Sequence, residues 1–286
     1  MKQLVSLKRD WVSTVRRLTQ LGFAAFIIIS SARHATSLEH LPSIDATCPF
    51  GGIATLWTFI SSGGSTYVQK IHPSNLVVLV GVLVGAILAG GTFCGWVCPL
   101  GALQDALNWL RGKLRIRELR VPQRADRILR YGRYAMLIAI LYGTVSTAKL
   151  WFSSFDPYRT IFGLGWLFEF NWSEHWVAYV SAIVIILASL LIPRFWCRYL
   201  CPLGAILGVL QRVSPLKIRR DASLCIDCSK CDQACPMNLE VATVDTVTHD
   251  CTGCQKCTGV CPVDGALEVG LGNLKSMAPH GEEAVR

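Results

Sequence analysis

Long apolar runs separated by basic loops dominate the chain. Four runs are long enough to cross a hydrocarbon core of ~30 Å, which takes about 17 to 25 helical residues. They cover approximately residues 17–32, 75–93, 134–151 and 176–192. Arg33 and His34 follow the first run and offer no small-residue cleavage site, so this run is interpreted as a membrane anchor and not as a secretory signal. The pattern predicts an α-helical membrane protein with four transmembrane helices.

Lysine and arginine are distributed unevenly between the loops. Residues 1–17 hold five, residues 110–133 hold nine and residues 193–223 hold six, whereas the loops 33–74 and 149–175 hold two each. Positive charge is retained on the cytoplasmic side of a membrane. The bias of twenty against four therefore predicts a multi-pass protein of the cytoplasmic (inner) membrane with both termini, and everything after the last run, in the cytoplasm.

Composition agrees with this placement. Of 286 residues, 52% are apolar and only 16% are charged, which is too apolar for an ordinary soluble domain. The partner is therefore a lipid bilayer. The net charge of +9 does not indicate nucleic acid, because the basic residues adjoin apolar runs and do not form an aromatic-interleaved groove.

The region after residue 223 contains two cysteine runs of the same spacing, C-x2-C-x2-C-x3-C-P. The first consists of Cys225, Cys228, Cys231 and Cys235, and the second of Cys251, Cys254, Cys257 and Cys261. This is the thiolate spacing of bacterial two-cluster ferredoxins, in which three close cysteines bind one cubane and the fourth binds the other. The spacing predicts one [4Fe-4S] cluster on Cys225, Cys228, Cys231 and Cys261 (cluster 1) and one on Cys251, Cys254, Cys257 and Cys235 (cluster 2).

Zinc knuckles and a disulfide framework are the alternatives for these eight cysteines. Zinc sites use two well-separated ligand pairs, and neither alternative explains Pro236 and Pro262. Since 8 of 13 cysteines belong to a motif that must stay as thiolate, the tail is expected in a reducing compartment. The predicted domains are a transmembrane domain at 1–223, a small α+β two-cluster ferredoxin domain at 224–270 and a flexible tail at 271–286.

The apolar part contains an internal duplication. Residues 93–107, FCGWVCPLGALQDAL, match residues 196–210, WCRYLCPLGAILGVL, at an offset of 103. Upstream, Cys48-Pro49-Phe50 matches Asp156-Pro157-Tyr158 at an offset of 108. The two copies, at about 15–110 and 131–212, run in the same direction. They are therefore expected to form two helix pairs related by a pseudo-twofold axis along the membrane normal.

That symmetry is expected to bring Cys94, Cys98, Cys197 and Cys201 to one depth at the inner surface. Residues i and i+4 share a helix face, so each C-x3-C would present two sulfurs to a common centre. A shared iron–sulfur or other metal centre is the favoured interpretation, and cysteines that serve as small apolar residues at helix contacts are the alternative. Pro99 and Pro202 are expected to interrupt the helix and free a backbone group that can donate to a sulfur. Cys48, on the outer side, is a free thiol, a cofactor attachment point or a buried residue, with a mild preference for cofactor or redox contact.

These motifs together resemble the NapH-type membrane ferredoxins, the quinol dehydrogenase subunits of periplasmic nitrate reductase systems, and the C-terminal half of NosR-type regulators. The resemblance implies electron transfer between a cytoplasmic or membrane donor, quinol or ferredoxin, and a periplasmic acceptor. It assigns Cys94, Cys98, Cys197 and Cys201, called the quartet below, and the eight tail cysteines to the family's iron–sulfur centres. It also implies quinone as a cofactor, and a periplasmic cytochrome, flavoprotein or reductase as a partner. The T-C-P-F-G-G element around Cys48 departs from the nitrate-linked branch, and the chain lacks the flavin-binding domain of the NosR type.

Three functions are compatible with these observations. The leading one is an electron-transfer subunit of an oxidoreductase of the quinol dehydrogenase type. The second is a maturation factor whose clusters reduce a metal or a thiol on a client respiratory enzyme. The third is a structural anchor in which the clusters only stabilise the tail.

Overall fold

The computed structural model describes residues 2–36, 60, 73–147, 156–163, 172–247 and 249–271. Cys48 and the surrounding T-C-P-F-G-G element lie outside the described residues, as do residues 272–286, which make up nearly all of the predicted tail. The predictions made for these segments stay predictions.

Helices make up the described part of the chain as far as Leu210. They are α1 (Lys2–Thr36), α2 (Pro73–Ala89), α3 (Thr92–Trp96), α4 (Pro99–Lys113), α5 (Gln123–Leu129), α6 (Gly132–Thr147), α7 (Pro157–Phe162), α8 (Trp172–Leu191), α9 (Phe195–Tyr199) and α10 (Pro202–Leu210). Each of the four predicted spans falls largely on one long helix, α1, α2, α6 or α8. The mostly helical architecture predicted from the apolar runs is therefore confirmed.

One helix in the described residues is long and apolar enough to cross a membrane, at Trp11–Arg33, and only 17% of it is buried. Such low burial is unlike the core helix of a soluble domain. Two shorter apolar helices lie at Leu76–Ala89 and His175–Leu191. By length and composition, the described helices thus give one candidate span where the sequence predicts four.

In both copies of the duplicated unit, the helix after the C-x3-C-P motif packs against one helix of its own copy and one helix of the other copy. In the first copy, α4 follows the C-x3-C-P motif and packs against α1 of its own copy and against α8 of the other. In the second copy, α10 follows the motif and packs against α6 of its own copy and against α2 of the other. This reciprocal pattern is what a pseudo-twofold relation between the copies requires.

An α+β region follows the helices, and the described part of it, residues 216–271, is called the tail below. It contains β1 (Leu216–Arg220), α11 (Lys230–Ala234), β2 (Thr246–Val247), α12 (Lys256–Val260) and β3 (Leu267–Leu271). The strands form an antiparallel sheet in the order β2-β1-β3, with Ile218 opposite both Val247 and Val269. The central strand, β1, precedes residue 224, so the sheet includes residues ahead of the predicted start of the ferredoxin domain.

Candidate iron–sulfur centres

One cysteine-lined cavity lies beside β1 and α12. It is lined by four cysteines, Cys235, Cys251, Cys254 and Cys257, together with apolar side chains such as Ile218, Val241 and Val247. Three of these cysteines come from the second run and one from the end of the first. The residues brought together are the set that the spacing predicts for cluster 2.

A second cysteine-lined cavity lies next to the end of β1, at Arg220. It is lined by Cys225, Cys228, Cys231 and Cys261, with Arg220 and Ala266 at its edge. This is the set predicted for cluster 1. Cys228 is exposed, whereas Cys231 is buried, so one side of this cavity faces solvent.

The cavities have the chemistry that a thiolate-bound cluster needs. All twelve cysteines in the described residues are free of disulfides. Burial, followed by the nearby Cys254, raises the pKa of Cys251 to about 12. Four such thiols are stable as thiolates together only around a strongly cationic centre. The backbone N–H of Gly253 donates to the Sγ of Cys251 at 3.4 Å, a contact that favours the thiolate.

A single metal ion fits the described residues poorly. No group of three or more His, Cys, Asp or Glu side chains among them is arranged to hold one ion. Thiolates around one zinc ion lie about 3.8 Å apart, given Zn–S bonds of about 2.3 Å. A four-iron cubane holds its ligands on a wider cage. Cys235 of the first run joins three cysteines of the second at one cavity, and this exchange of the fourth cysteine suits two cubanes better than the zinc alternative.

The four cysteines of the duplicated motifs lie at breaks between helices, and the helix-face argument made for them is wrong. Cys94 lies in α3 and Cys197 in α9, but Cys98 and Cys201 are the N-caps of the next helices, α4 and α10, with extended backbone. Proline cannot donate the intrahelical hydrogen bond, so Pro99 and Pro202 each begin a new helix instead of continuing the old one. The two sulfurs of each motif therefore come from two helices and not from one face.

The four sulfurs nevertheless converge. Burial raises the pKa of Cys94 well above its ordinary value, and the proximity of Cys98, Cys197 and Cys201 raises it further. Burial likewise raises the pKa of Cys197 to about 12. The N–H of Gly204 donates to the Sγ of Cys201 at 3.4 Å, which is the kind of freed donor expected next to the proline. The structure thus brings the two motifs to one buried place.

Gln104 is a further neighbour of these sulfurs. Its side chain is 1% exposed, and its Nε2 donates to the Sγ of Cys197 at 3.1 Å. Its Oε1 accepts from the hydroxyl of Ser189 at 3.4 Å, which fixes the orientation of the amide. At the repeat offset of 103 the second copy has Leu207, so this donor is present on one side of the pseudo-twofold axis only.

The loop that carries the cluster 2 cysteines packs directly on α3. A Cβ on Gly91 would lie 2.0 Å from the carbonyl oxygen of Cys251, and a Cβ on Gly95 would lie 2.1 Å from that of Thr252. Only glycine permits backbones to approach so closely. The indole N–H of Trp96 donates to the carbonyl of Gly253 at 2.9 Å. Cys94 lies between the two glycines, so the cluster 2 loop and the cysteine quartet are neighbours.

Two ion-pair networks attach the tail to the helices. On the second copy, Asp250 accepts from Arg133 and, at 2.9 Å, from Arg130. On the first copy, Asp105 accepts from Arg16, from Arg194 at 2.7 Å and from Lys256 at 3.1 Å. Burial raises the pKa of Asp250, but Arg133 and Arg130 outweigh it and hold the pKa below its ordinary value. Both carboxylates are therefore ionised at neutral pH.

The duplicated copies differ at these networks. The counterpart of Asp105 in the second copy is Gly208, and a Cβ there would lie 2.8 Å from Oδ1 of Asp250. The tail thus supplies to the second copy the carboxylate that the first copy carries on its own helix.

Sequence reasoning missed the polar residues around the centres. These are Gln104, Asp105, Arg194, Asp250 and Lys256. A buried glutamine and aspartate in an otherwise apolar helix, and a charged residue next to a cysteine motif, were the available indications. The basic residues were counted toward membrane orientation, but Arg16, Arg133, Arg194 and Arg198 are buried in ion pairs.

Three places lined by four cysteines each, one of them partly open to solvent, define a class, the ferredoxin-type iron–sulfur proteins. A family profile described as a 4Fe-4S binding domain matches residues 71–117 and again residues 174–221. The two matches repeat the offset of 103 residues and contain the cysteines of the quartet. The profile thus matches the duplicated motifs and not the eight cysteines of the tail.

Named relatives define the family. The chain is 32% identical to YccM of Escherichia coli K12, a protein named for electron transport, over 85% of this chain and 72% of the relative. It is 32% identical to the methylamine utilization ferredoxin-type protein MauN of Methylobacillus flagellatus, over 85% of this chain and 83% of the relative. The chain belongs to this family of ferredoxin-type iron–sulfur electron-transport proteins.

Another relative matches over a shorter stretch. The ferredoxin-type protein NapH of Haemophilus influenzae is 35% identical over 58% of this chain and 55% of the relative. The predicted resemblance to NapH-type proteins is confirmed. No solved structure matches the chain.

Proposed function

We propose that the chain is a membrane electron-transfer subunit with three iron–sulfur centres. The eight tail cysteines bind two [4Fe-4S] clusters in the crossed arrangement, and Cys94, Cys98, Cys197 and Cys201 share a third centre at the inner surface of the membrane. Electrons pass between a cytoplasmic or membrane donor, quinol or ferredoxin, and a redox partner on the periplasmic side.

The observation that carries this proposal is the backbone contact between the cluster 2 loop and α3. Carbonyl oxygens of Cys251 and Thr252 approach Gly91 and Gly95 so closely that no side chain fits between them. A tail whose clusters only stabilised its own fold would not need this contact. Electron transfer does need it, because the contact brings the cysteines of the tail and of the helices next to each other.

Outward-facing apolar side chains support four membrane-spanning helices. At 1.5 Å per residue α8 is about 30 Å long and α2 about 26 Å, close to the thickness of a hydrocarbon core. Large apolar side chains on these helices and on α6 are exposed, among them Val77, Val84, Ile138, Tyr142, Ile183 and Leu187. An apolar surface of this extent is stable against lipid and not against water. The basic loops at their inner ends support cytoplasmic termini.

The chain's own residues supply three things to the centres. Clusters bound at these sites accept and release single electrons. Gln104 and the N–H groups of Gly204 and Gly253 donate to thiolate sulfurs and stabilise their negative charge. Buried side chains such as Leu100 and Trp196 pack around the quartet and exclude water from it. The exposed Cys228 marks the side of cluster 1 that a soluble donor can approach.

Iron content tests the number of centres in the full chain. In protein purified anaerobically we expect about twelve irons per chain, from three four-iron clusters. Cys228→Ala is expected to remove about four, and Cys98→Ser about four others. Combining Cys98→Ser with Cys201→Ser should remove no more iron than either alone, because both changes open the same site. Combining Cys98→Ser with Cys228→Ala should be additive.

Two outcomes would contradict the proposal. Unchanged iron after Cys98→Ser would show that the quartet packs helices and binds nothing. Unchanged iron after Cys228→Ala would contradict the ferredoxin assignment of the tail. Anaerobic reduction of the clusters by a quinol analogue tests the membrane donor separately, and the same titration on Cys98→Ser shows whether the electrons pass through the quartet.

A further inference from the structure

Arg194 is a buried cation beside two sets of cysteines. It is 1% exposed and forms the N-cap of α9, three residues before Cys197. Its backbone has φ of 53°, in the left-handed region that is strained for a residue other than glycine. A buried charge in a strained backbone conformation persists only where the surrounding contacts hold it.

Those contacts join three segments of the chain. The Nη2 of Arg194 donates to Oδ2 of Asp105 at 2.7 Å, and its Nη1 donates to the carbonyl oxygen of Cys94 at 3.3 Å. Asp105 also accepts from Nζ of Lys256 at 3.1 Å and pairs with Arg16. Lys256 lies directly before Cys257, on the cluster 2 side of the tail. The Arg194–Asp105–Lys256 network therefore connects the quartet to cluster 2.

Hydrogen bonds place Arg194 next to both cysteine sets, directly at the carbonyl of Cys94 and through Asp105 at Lys256, the residue before Cys257. Burial lowers the pKa of Arg194, but Asp105, Cys197 and Cys254 raise it above its ordinary value. Cys197 belongs to the quartet and Cys254 to the cluster 2 set. One guanidinium thus lies within electrostatic range of thiolates from both.

The network has an excess of positive charge. Asp105 carries one negative charge, and three cations surround it, Arg16, Arg194 and Lys256. In a buried environment of low effective dielectric, such an excess stabilises an added electron on neighbouring groups. The centres next to it are therefore easier to reduce than the same centres without it.

We propose that Arg194 is a positioning residue for electron transfer between cluster 2 and the quartet centre, and that the order of the centres is cluster 1, cluster 2, quartet. This inference rests on the proposed function. The step is the passage of one electron, in which one centre is oxidised and its neighbour is reduced, with no bond made and no proton moved. Arg194 holds the two centres together through Asp105 and stabilises the electron on either side.

Redox titration of the full chain, followed by electron paramagnetic resonance, tests this. The signal of each centre is assigned by its loss in Cys228→Ala, Cys254→Ala and Cys98→Ser. Arg194→Gln is expected to lower the midpoint potentials of cluster 2 and of the quartet centre and to leave cluster 1 unchanged. Arg194→Lys keeps the positive charge, so the midpoint potentials of cluster 2 and of the quartet centre should stay close to those of the unaltered chain.

Arg220→Gln is the matched control, because Arg220 lines the cavity of cluster 1. It should lower the potential of cluster 1 alone. If Arg194→Gln impairs cluster assembly, Lys256→Gln removes a cation from the same network at a partly exposed position and should lower the potential of cluster 2.

The inference is overturned if Arg194→Gln shifts all three potentials equally, shifts cluster 1 alone or shifts none. It is also overturned if rapid reduction by a soluble donor reaches the quartet in Cys254→Ala as fast as in the unaltered chain. These failures differ from failure of the proposed function, which would appear earlier as a missing third centre in the unaltered protein.

Discussion

At the scale of single residues, the two copies of the motif differ in the polar side chains around their sulfurs. Gln104 donates to Cys197, whereas the second copy has Leu207 at the equivalent position. A donor to a thiolate favours the electron-rich state of its centre. In the proposed function, Gln104 therefore raises the reduction potential of the quartet centre, and the second copy has no equivalent donor.

Replacing Gln104 with leucine tests this adjustment. Leucine occupies the equivalent buried position in the second copy, so we expect folding and iron content to be preserved. The midpoint potential of the quartet centre should fall by about 60 to 130 mV, since about 60 mV corresponds to 1.4 kcal/mol for one electron and a hydrogen bond to a charged group contributes about 1.5–3 kcal/mol. Gln123→Leu, at an exposed glutamine, is the control and should leave the potential unchanged. Equal potentials in both variants would contradict the role of Gln104.

Asp250 is the residue whose loss should release the tail. Its side chain is 6% exposed and pairs with Arg133 and Arg130. Removing one partner of a buried pair costs about 3–5 kcal/mol, because the other charge is left uncompensated. Asp250→Asn should therefore expose the tail to protease at lower temperature than in the unaltered chain. Asp245→Asn, at an 85% exposed carboxylate, should cost about 0–1 kcal/mol and leave proteolysis unchanged.

The pH dependence of this effect follows from the lowered pKa of Asp250. A carboxylate with a lowered folded pKa contributes stability above its unfolded value of about 3.9 and loses it as pH falls through the lower folded value. The difference between Asp250→Asn and the unaltered chain should therefore be constant from about pH 5 to 8. A difference that vanished within that range would contradict the ion pairing.

At the scale of elements, the positions of the four cysteines depend on the breaks between helices more than on the lengths of the helices. Each C-x3-C-P motif ends one short helix and begins another, so four cysteines come from α3, α9 and the caps of α4 and α10. The proline prevents a continuous helix, and the extended backbone at Cys98 and Cys201 turns their side chains toward the other motif. Glycines in α3 then provide the flat backbone against which the tail packs.

Gly95→Ala tests the contact between α3 and the cluster 2 loop. The added Cβ would lie 2.1 Å from the carbonyl oxygen of Thr252, so the loop must move away. Overpacking of this kind costs about 1–3 kcal/mol. We expect slower electron transfer between the tail and the quartet, with the iron content of the tail preserved. Gly85→Ala, where no atom lies within 4 Å of the new Cβ, is the control and should leave the rate unchanged.

At the scale of the whole molecule, the duplication organises the packing. The helix after each motif packs on the first helix of its own copy and on the second helix of the other. Each copy therefore depends on its partner for burial, as expected of a unit that is not stable alone. The basic loops predict that both copies enter the membrane from the cytoplasmic side.

Reporter fusions test the four-span topology. Fusions after Ser62 and after Arg286 should report opposite compartments, periplasm and cytoplasm, because the bias in basic residues places the C-terminus inside. A fusion after Arg115, in the basic loop after α4, should agree with the one after Arg286. The same compartment at Ser62 and Arg286 would contradict four spans.

The sequence predicted the mostly helical fold because the apolar runs are regular in length, and the regular cysteine spacing is likewise the basis for the predicted ligand sets of the tail. Ligand spacing groups Cys235 with Cys251, and the structure brings these residues to one cavity. Arg194 and Gln104 could not be predicted, since their roles arise from contacts between segments about a hundred residues apart. The strand β1, which lies ahead of the expected domain start at residue 224, could not be predicted because it is short and basic, without the apolar alternation of a typical strand.

The second copy has Gly208 where the first copy has Asp105, and this difference affects the orientation in which the tail docks on the helices. A twofold arrangement offers a docking domain two equivalent orientations, half a turn apart. In the rotated orientation Lys256 would lie beside Arg133 with no carboxylate next to it, and the observed pairs of Asp250 with Arg133 and of Lys256 with Asp105 would both be lost. Gly208 thus makes the two orientations unequal, because only the observed one keeps both sets of ion pairs, and that orientation places the cluster 2 loop against the helices.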